Sequence, residues 1–221
     1  MIEIVIFDLD GLLVDSEPLQ YKAYNQVFSR HGCPVTQEDW RRWSDMESSP
    51  SKIWVDTYGL PLNAQQIADE KKVIYDRMIQ EEMKLKPDAK YLVELLSHHF
   101  RLCVASGSRL ESIEGSLGKF GLRDYFERLF SSTSVQRNKP YPDVLLEAAS
   151  EMGASPSECV VIEDSVAGPQ AAKAANMACI VRPDAFLPHP RSSYRDADVI
   201  VDSLEEITLH TLRKLQTNDL A

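Results

Sequence analysis

The chain of 221 residues carries 24 lysines and arginines against 34 aspartates and glutamates, a formal net charge of −10, with 43% hydrophobic and 26% charged residues. That length accommodates one large domain or a core with a small insert, and the balance is that of a globular chain with enough apolar material for a core. Without a basic patch the acidic charge argues against a nucleic-acid partner, and no apolar run is long enough to span a bilayer, so neither nucleic acid nor a membrane is an expected partner.

The N-terminus, MIEIVIFDLDG, has acids among its apolar residues and neither a basic leader nor a small-residue cleavage site. Residues 3–8 (EIVIFD) therefore read as a buried strand, not a signal peptide. Residues 16–84 follow, with Trp40, Trp43, Trp54 and amphipathic helical patterns such as 63–84, but no buried-strand pattern. They read as a helical insert rather than as further helices on the same core. Beyond the insert, apolar runs of strand character recur at 101–107, 128–132, 159–164 and 178–183, with a weaker one at 198–202. Helical spacing separates them at 88–98, 141–152 and 165–175. Such alternation predicts an α/β fold: a doubly wound parallel sheet with helices on both faces and a helical cap domain inserted. The expected domains are a core of 1–15 plus 85–221 and a cap of 16–84. Of the four cysteines, three (Cys103, Cys159 and Cys179) fall in apolar runs and are expected as buried thiols, which suits a cytoplasmic setting. No CxxC pair is present, and the five histidines have no zinc-ligand spacing with the cysteines.

In a doubly wound sheet, ligands bind beyond the carboxyl ends of the strands. The first strand end carries Asp8 and Asp10, the second Ser106-Gly107-Ser108, the region past the third Lys139, and the fourth Glu163 and Asp164. In extended backbone Asp8 and Asp10 leave on the same side, and Gly11 permits a sharp turn behind them. One carboxylate is suited to attack phosphorus and the other to proton transfer. Two such acids would repel without a cation, and Mg²⁺, with Asp164 and Glu163 completing its shell, fits this hard oxygen donor set. Ser106 and the N–H groups around Gly107 suit a phosphate, Ser108 and Arg109 resemble a helix start, and Lys139 would neutralise the transferring group. Singly, each of these is an ordinary turn, loop or surface lysine; the convergence at four strand ends is what points to phosphoryl transfer.

Taken together, FDLDG at 7–11, VASGS at 104–108, NKPYPD at 138–143 and VIEDSVAG at 161–168 resemble the four motifs of haloacid dehalogenase-like hydrolases. DGLLVDSEP at 10–18 and KPYPD are further similar to the subgroup of beta-phosphoglucomutase and small sugar-phosphate phosphatases, whose helical cap follows the first motif. The resemblance implies that Asp8 is nucleophile and metal ligand. It makes Asp10 the acid/base, offering its backbone carbonyl to Mg²⁺. Ser106 and Lys139 would bind the phosphoryl group, and Asp164 would ligate the metal with Glu163 directly or through water. Ser165 and Asp143 would support the site, and the cap would close over the substrate. Asp10 speaks against the dehalogenase and phosphonatase chemistries of relatives that lack the second acid. The mutases carry a cap-hinge histidine where this chain has Gln20, and Lys71 corresponds to a cap lysine. The stretch WSDMESS at 43–49 departs from the glycine-centred substrate loop of relatives. The expected activity is a Mg²⁺-dependent phosphatase acting on a small phosphorylated metabolite, a sugar phosphate ahead of a nucleotide. A phosphosugar mutase is the alternative, and a catalytically silent binding module is the reading from another class. A monomer is the working expectation, although nothing in the sequence reads out an oligomeric state.

Overall fold

The structure, a computed structural model, describes residues 1–44, 50–59 and 63–217. Residues 45–49 of the WSDMESS stretch lie outside that set. In chain order the elements begin with β1 (Ile4–Phe7), then α1 (Glu17–Arg30), α2 (Gln37–Ser44), α3 (Pro50–Tyr58), α4 (Ala64–Glu82) and α5 (Ala89–Ser97). They continue with β2 (Arg101–Ser106), α6 (Leu110–Lys119), β3 (Arg128–Ser131), α7 (Asp143–Glu151) and β4 (Cys159–Glu163). The last are α8 (Ala167–Ala174), β5 (Ala178–Val181), β6 (Val199–Ile200) and α9 (Leu209–Thr217). The chain divides into two compact units, Met1–Val14 with Leu85–Ala221, and Asp15–Lys84.

The first unit is built on a six-stranded sheet of order β3-β2-β1-β4-β5-β6, parallel at every pairing. β1 and β4 are buried along their whole length, which is why both read as continuous apolar runs instead of alternating ones. One face of the sheet contributes Ile4, Ile6, Cys103, Val161 and Cys179 to a core closed by Val144, Leu145 and Ala148 of α7 and Ala171 and Ala172 of α8. α5 and α6 also pack on the sheet, against β2 and β3, through buried Leu92, Leu96, Ile113 and Leu117. Cys103, Cys159 and Cys179 are buried free thiols, as expected, and burial raises all three, Cys159 to about 11. They act as small core side chains.

From β1 the chain winds outward to β2 and β3, then returns to lay β4 on the other side of β1. Strand order therefore reverses between β1 and β4. Their carboxyl ends, Phe7 and Glu163, mark the switch point at which α/β sheets bind ligands.

The second unit is entirely helical among its described residues. α1 packs on α4, with α3 against α4 and α2 against α3. Asn63 starts α4 with a capping box shared with Gln66. The tryptophans that marked this segment form its core. Trp54 is fully buried, with its ring centroid 4.6 Å from that of Phe28, 4.2 Å from Trp43 and 4.5 Å from Tyr58. No described helix is long and apolar enough to cross a membrane.

Candidate active site

β1 ends at Phe7, but its ladder continues for one residue: the Asp8 N–H donates to the Ile162 carbonyl at 2.9 Å and holds Asp8 beside β4. The chain then turns, with Gly11 at φ +81° and its N–H on the Val14 carbonyl at 2.9 Å. The Asp10 carboxylate meets the end of β2, where its Oδ2 accepts from Ser108 Oγ at 2.7 Å and from Ser106 Oγ at 3.2 Å. Ser106 is fully buried and its oxygen also accepts the Ser108 N–H at 3.0 Å. Gly107 beside it is exposed, with open space where a side chain would stand.

Asp8 is held by Lys139. The ammonium donates to Asp8 Oδ1 at 2.8 Å, to Glu163 Oε1 at 2.6 Å and to the Ala105 carbonyl at 2.9 Å. A lysine has three protons, so this set saturates it. The loop that carries Lys139 is fixed by Asp143, whose carboxylate receives the Arg137 backbone N–H at 3.2 Å and the guanidinium at 2.9 Å. Glu163 is more tightly held still. Its Oε2 accepts from the Asp164 N–H (2.9 Å), the Ser165 N–H (3.1 Å) and Ser165 Oγ (3.0 Å).

Two buried carboxylates thus share one lysine, and their different surroundings separate them. Burial works against the charge of both. For Glu163, Lys139 and the donors from Ser165 and Asp164 prevail and keep its carboxyl below the ordinary range. For Asp8, burial prevails over Lys139, helped by the charges of Glu163 and Asp10, and pushes the carboxyl up to about 7. Burial alone would lower Lys139, but Asp8 and Glu163 more than offset it, so the ammonium stays charged.

An acid whose charge is poorly compensated, beside other acids, is suited to a cation. Ligand oxygens of Asp8, Glu163 and Asp164 all lie within 4.8 Å of one another. This all-oxygen donor set fits a hard divalent ion such as Mg²⁺. Two glycines make the space. A Cβ on Gly11 would fall 2.1 Å from Asp164 Oδ2, and one on Gly168 would fall 2.1 Å from the Glu163 carboxyl carbon. Asp10's carboxylate lies outside that cluster, turned to the serines.

Gln20 on α1 and Lys71 on α4 are brought together in the helical unit. The Lys71 ammonium donates to Gln20 Oε1 and lies 3.9 Å from the Tyr75 ring centre and 5.1 Å from that of Tyr24. Sequence reasoning missed one buried pair, Lys86 and Asp184, joined at 2.5 Å. Asp184 stands just past the carboxyl end of β5, so the rule that found the other acids would have found it at the fifth strand end. Lys86, remote in sequence, gave no such signal.

The family model described as haloacid dehalogenase-like hydrolase matches residues 5–182. Hexitol phosphatase B of Escherichia coli strain K12 is 34% identical over 215 residues, covering 94% of this chain and 95% of that protein. The putative phosphatase YhcW of Bacillus subtilis is 30% identical over 215 residues, covering 96% of each. The crystal structure of CbbY from Rhodobacter sphaeroides in complex with phosphate superposes with a TM-score of 0.84 at 29% identity, covering 96% of this chain and 100% of that one.

Proposed function

For this chain, which belongs to the haloacid dehalogenase-like hydrolase family, we propose a phosphatase that releases phosphate from phosphorylated sugars or sugar alcohols through a phosphoryl-aspartate on Asp8. The observation that carries this reading is the Asp8 carboxylate at the switch point, bonded to Lys139 and clustered with Asp164 and Glu163. The names of relatives such as hexitol phosphatase B favour sugar phosphates as the substrate class.

Asp8 is the nucleophile, its oxygen attacking phosphorus in line with the leaving alkoxide. Lys139 orients that carboxylate and lowers the cost of gathering anions around it. Asp10 protonates the leaving oxygen and then takes a proton from the water that attacks phosphorus. Ser106 and Ser108 aim the Asp10 carboxylate through their hydroxyls, and the open backbone at Gly107 leaves room for the phosphate. Asp8 and Asp164, with Glu163 directly or through water, would hold Mg²⁺ here. Bound there, the ion would offset negative charge on the phosphoryl oxygens. Gln20 and Lys71 are the candidates for reading the rest of the substrate. Gln20 cannot titrate as the histidine of mutase-type relatives can, which favours release of phosphate to water over its return to a sugar.

A panel of hexose, hexitol, pentose and nucleotide monophosphates, assayed for phosphate release with Mg²⁺, tests this reading. Release from sugar or hexitol phosphates well above the nucleotides is expected. Preference for nucleotides would refute the substrate class, and isomerisation of beta-glucose 1-phosphate without release would refute hydrolysis.

A further inference from the structure

Lys139 reaches Asp8 from the stretch 132–142, which joins β3 to α7. The start of that stretch is tied to β3, with the Ser134 N–H and hydroxyl both on the Ser131 carbonyl, at 3.1 and 2.7 Å. Its end enters α7, where the Leu145 N–H meets the Pro142 carbonyl at 3.0 Å. Between them, among the described residues, the backbone N–H groups of 135–141 make two hydrogen bonds. Tyr141 donates to the Asn138 carbonyl at 3.0 Å and Arg137 to Asp143 Oδ2 at 3.2 Å. Lys139 therefore has a firmly held ammonium on a lightly held backbone. The Arg137 side chain supplies what closes the loop. Its Nε donates to Asp143 Oδ2 at 3.3 Å and its Nη2 to Oδ1 at 2.9 Å, a two-pronged grip on the carboxylate. Its guanidinium carbon lies 4.4 Å from the centre of the Tyr141 ring. One side chain thus bridges both flanks of Lys139. The guanidinium also holds the Asp143 carboxyl below its ordinary range. Arg137 and Asp143 have side-chain exposures of 52% and 17%, and an exposed ion pair adds little to overall stability. Its position around a buried lysine is more informative than its strength.

We propose that Arg137 is a positioning residue: its grip on Asp143 and its contact with Tyr141 keep the Lys139 backbone where the ammonium meets Asp8 and Glu163 together. This rests on the reading of Lys139 as the residue that orients the Asp8 carboxylate. Without the grip, the loop samples positions from which the ammonium does not reach both carboxylates, and fewer chains hold Asp8 ready for attack. Charge alone does not substitute. A lysine at 137 keeps a cation there but lacks the planar pair of donors that matches both carboxylate oxygens.

The test is acetylation of the native protein with acetic anhydride, the label on each lysine being read by tandem mass spectrometry. Lys139 and Lys86 have side-chain exposures of 10% and 8%, so Lys86, remote from this loop in sequence, is the internal control for general loosening. In Arg137→Met, labelling of Lys139 relative to Lys86 is expected to rise about threefold or more, the scale of an exposed pair plus a ring contact. The phosphatase kcat should fall by a similar factor. Arg137→Lys is expected to match Arg137→Met in both readouts. A labelling ratio or a kcat that stays at the parent value in Arg137→Met overturns the proposal, and so does an Arg137→Lys variant that restores the parent. Lys139→Met with the parent's activity would overturn the reading of Lys139 itself, a failure the labelling ratio tells apart because labelling does not depend on turnover.

Discussion

Gly168 offers the sharpest structural test of the site, because a single methyl group there would strike a residue that can retreat only by breaking the bonds that hold it. Its Cβ would fall 2.1 Å from Glu163 Cδ, 2.3 Å from Cγ and 2.6 Å from Oε1. Glu163 is 1% exposed, with Lys139 on Oε1 and three donors on Oε2. To make room, Glu163 must leave Lys139 or α8 must shift. Loss of one charge-assisted hydrogen bond costs about 1.5–3 kcal/mol. Alanine in a helix returns about 0.5–1 kcal/mol over glycine. Gly168→Ala should therefore lose about 0.5–2.5 kcal/mol and lower Tm by roughly 1–10 °C, given about 2–4 °C per kcal/mol at this chain length. Because Glu163 and Asp8 share Lys139, phosphatase activity should fall with it. Gly115→Ala in α6, with nothing within 4 Å of the new Cβ, is the control and should gain about 0.5–1 kcal/mol. Calorimetry of both variants with an activity assay reads this out. A Gly168→Ala protein as stable and active as its parent would refute the packing argument.

Lys139→Met leaves Asp8 and Glu163 buried without their shared cation, and should cost about 3–5 kcal/mol in urea unfolding as well as activity; an unchanged midpoint would contradict the role given to Lys139. pH offers another test. Asp8, raised to about 7 in the folded chain, keeps a proton that the unfolded chain has already released, so metal-free stability should fall as pH rises from about 5 to about 7. Glu163, held low, and Lys139, held high, are charged in both states across that window and add no slope. Excess Mg²⁺ should flatten the fall, because the cation favours the ionised carboxylate. Urea midpoints in EDTA that stay level or rise across the window would refute this.

The sheet was legible because buried parallel strands leave continuous apolar runs, and all six occur where the runs stand. Each strand is shorter than its run, β6 most of all, with Val199–Ile200 inside 198–202. The helical unit was legible through its tryptophans, which no solvated face would carry. Site residues at strand ends were readable because topology alone gathers them. What local sequence does not encode is how side chains are shared. Asp10 bonds Ser106 and Ser108 while Asp8 bonds Lys139, a division of partners that the two-residue spacing does not reveal. Lys139 spends all three protons on Asp8, Glu163 and a carbonyl, which spacing does not disclose. The Lys86–Asp184 pair joins residues 98 positions apart, and only the folded chain brings them together.

The central claim is phosphoryl transfer to Asp8. It is tested most directly by acid-quenching the Asp10→Asn variant during turnover of a reactive phosphate ester and weighing its peptides by mass spectrometry. Without Asp10 to activate water, the account predicts that the peptide containing Asp8 accumulates the mass of one phosphoryl group, on the Asp8 side chain. A phosphoryl group on any other residue would contradict it.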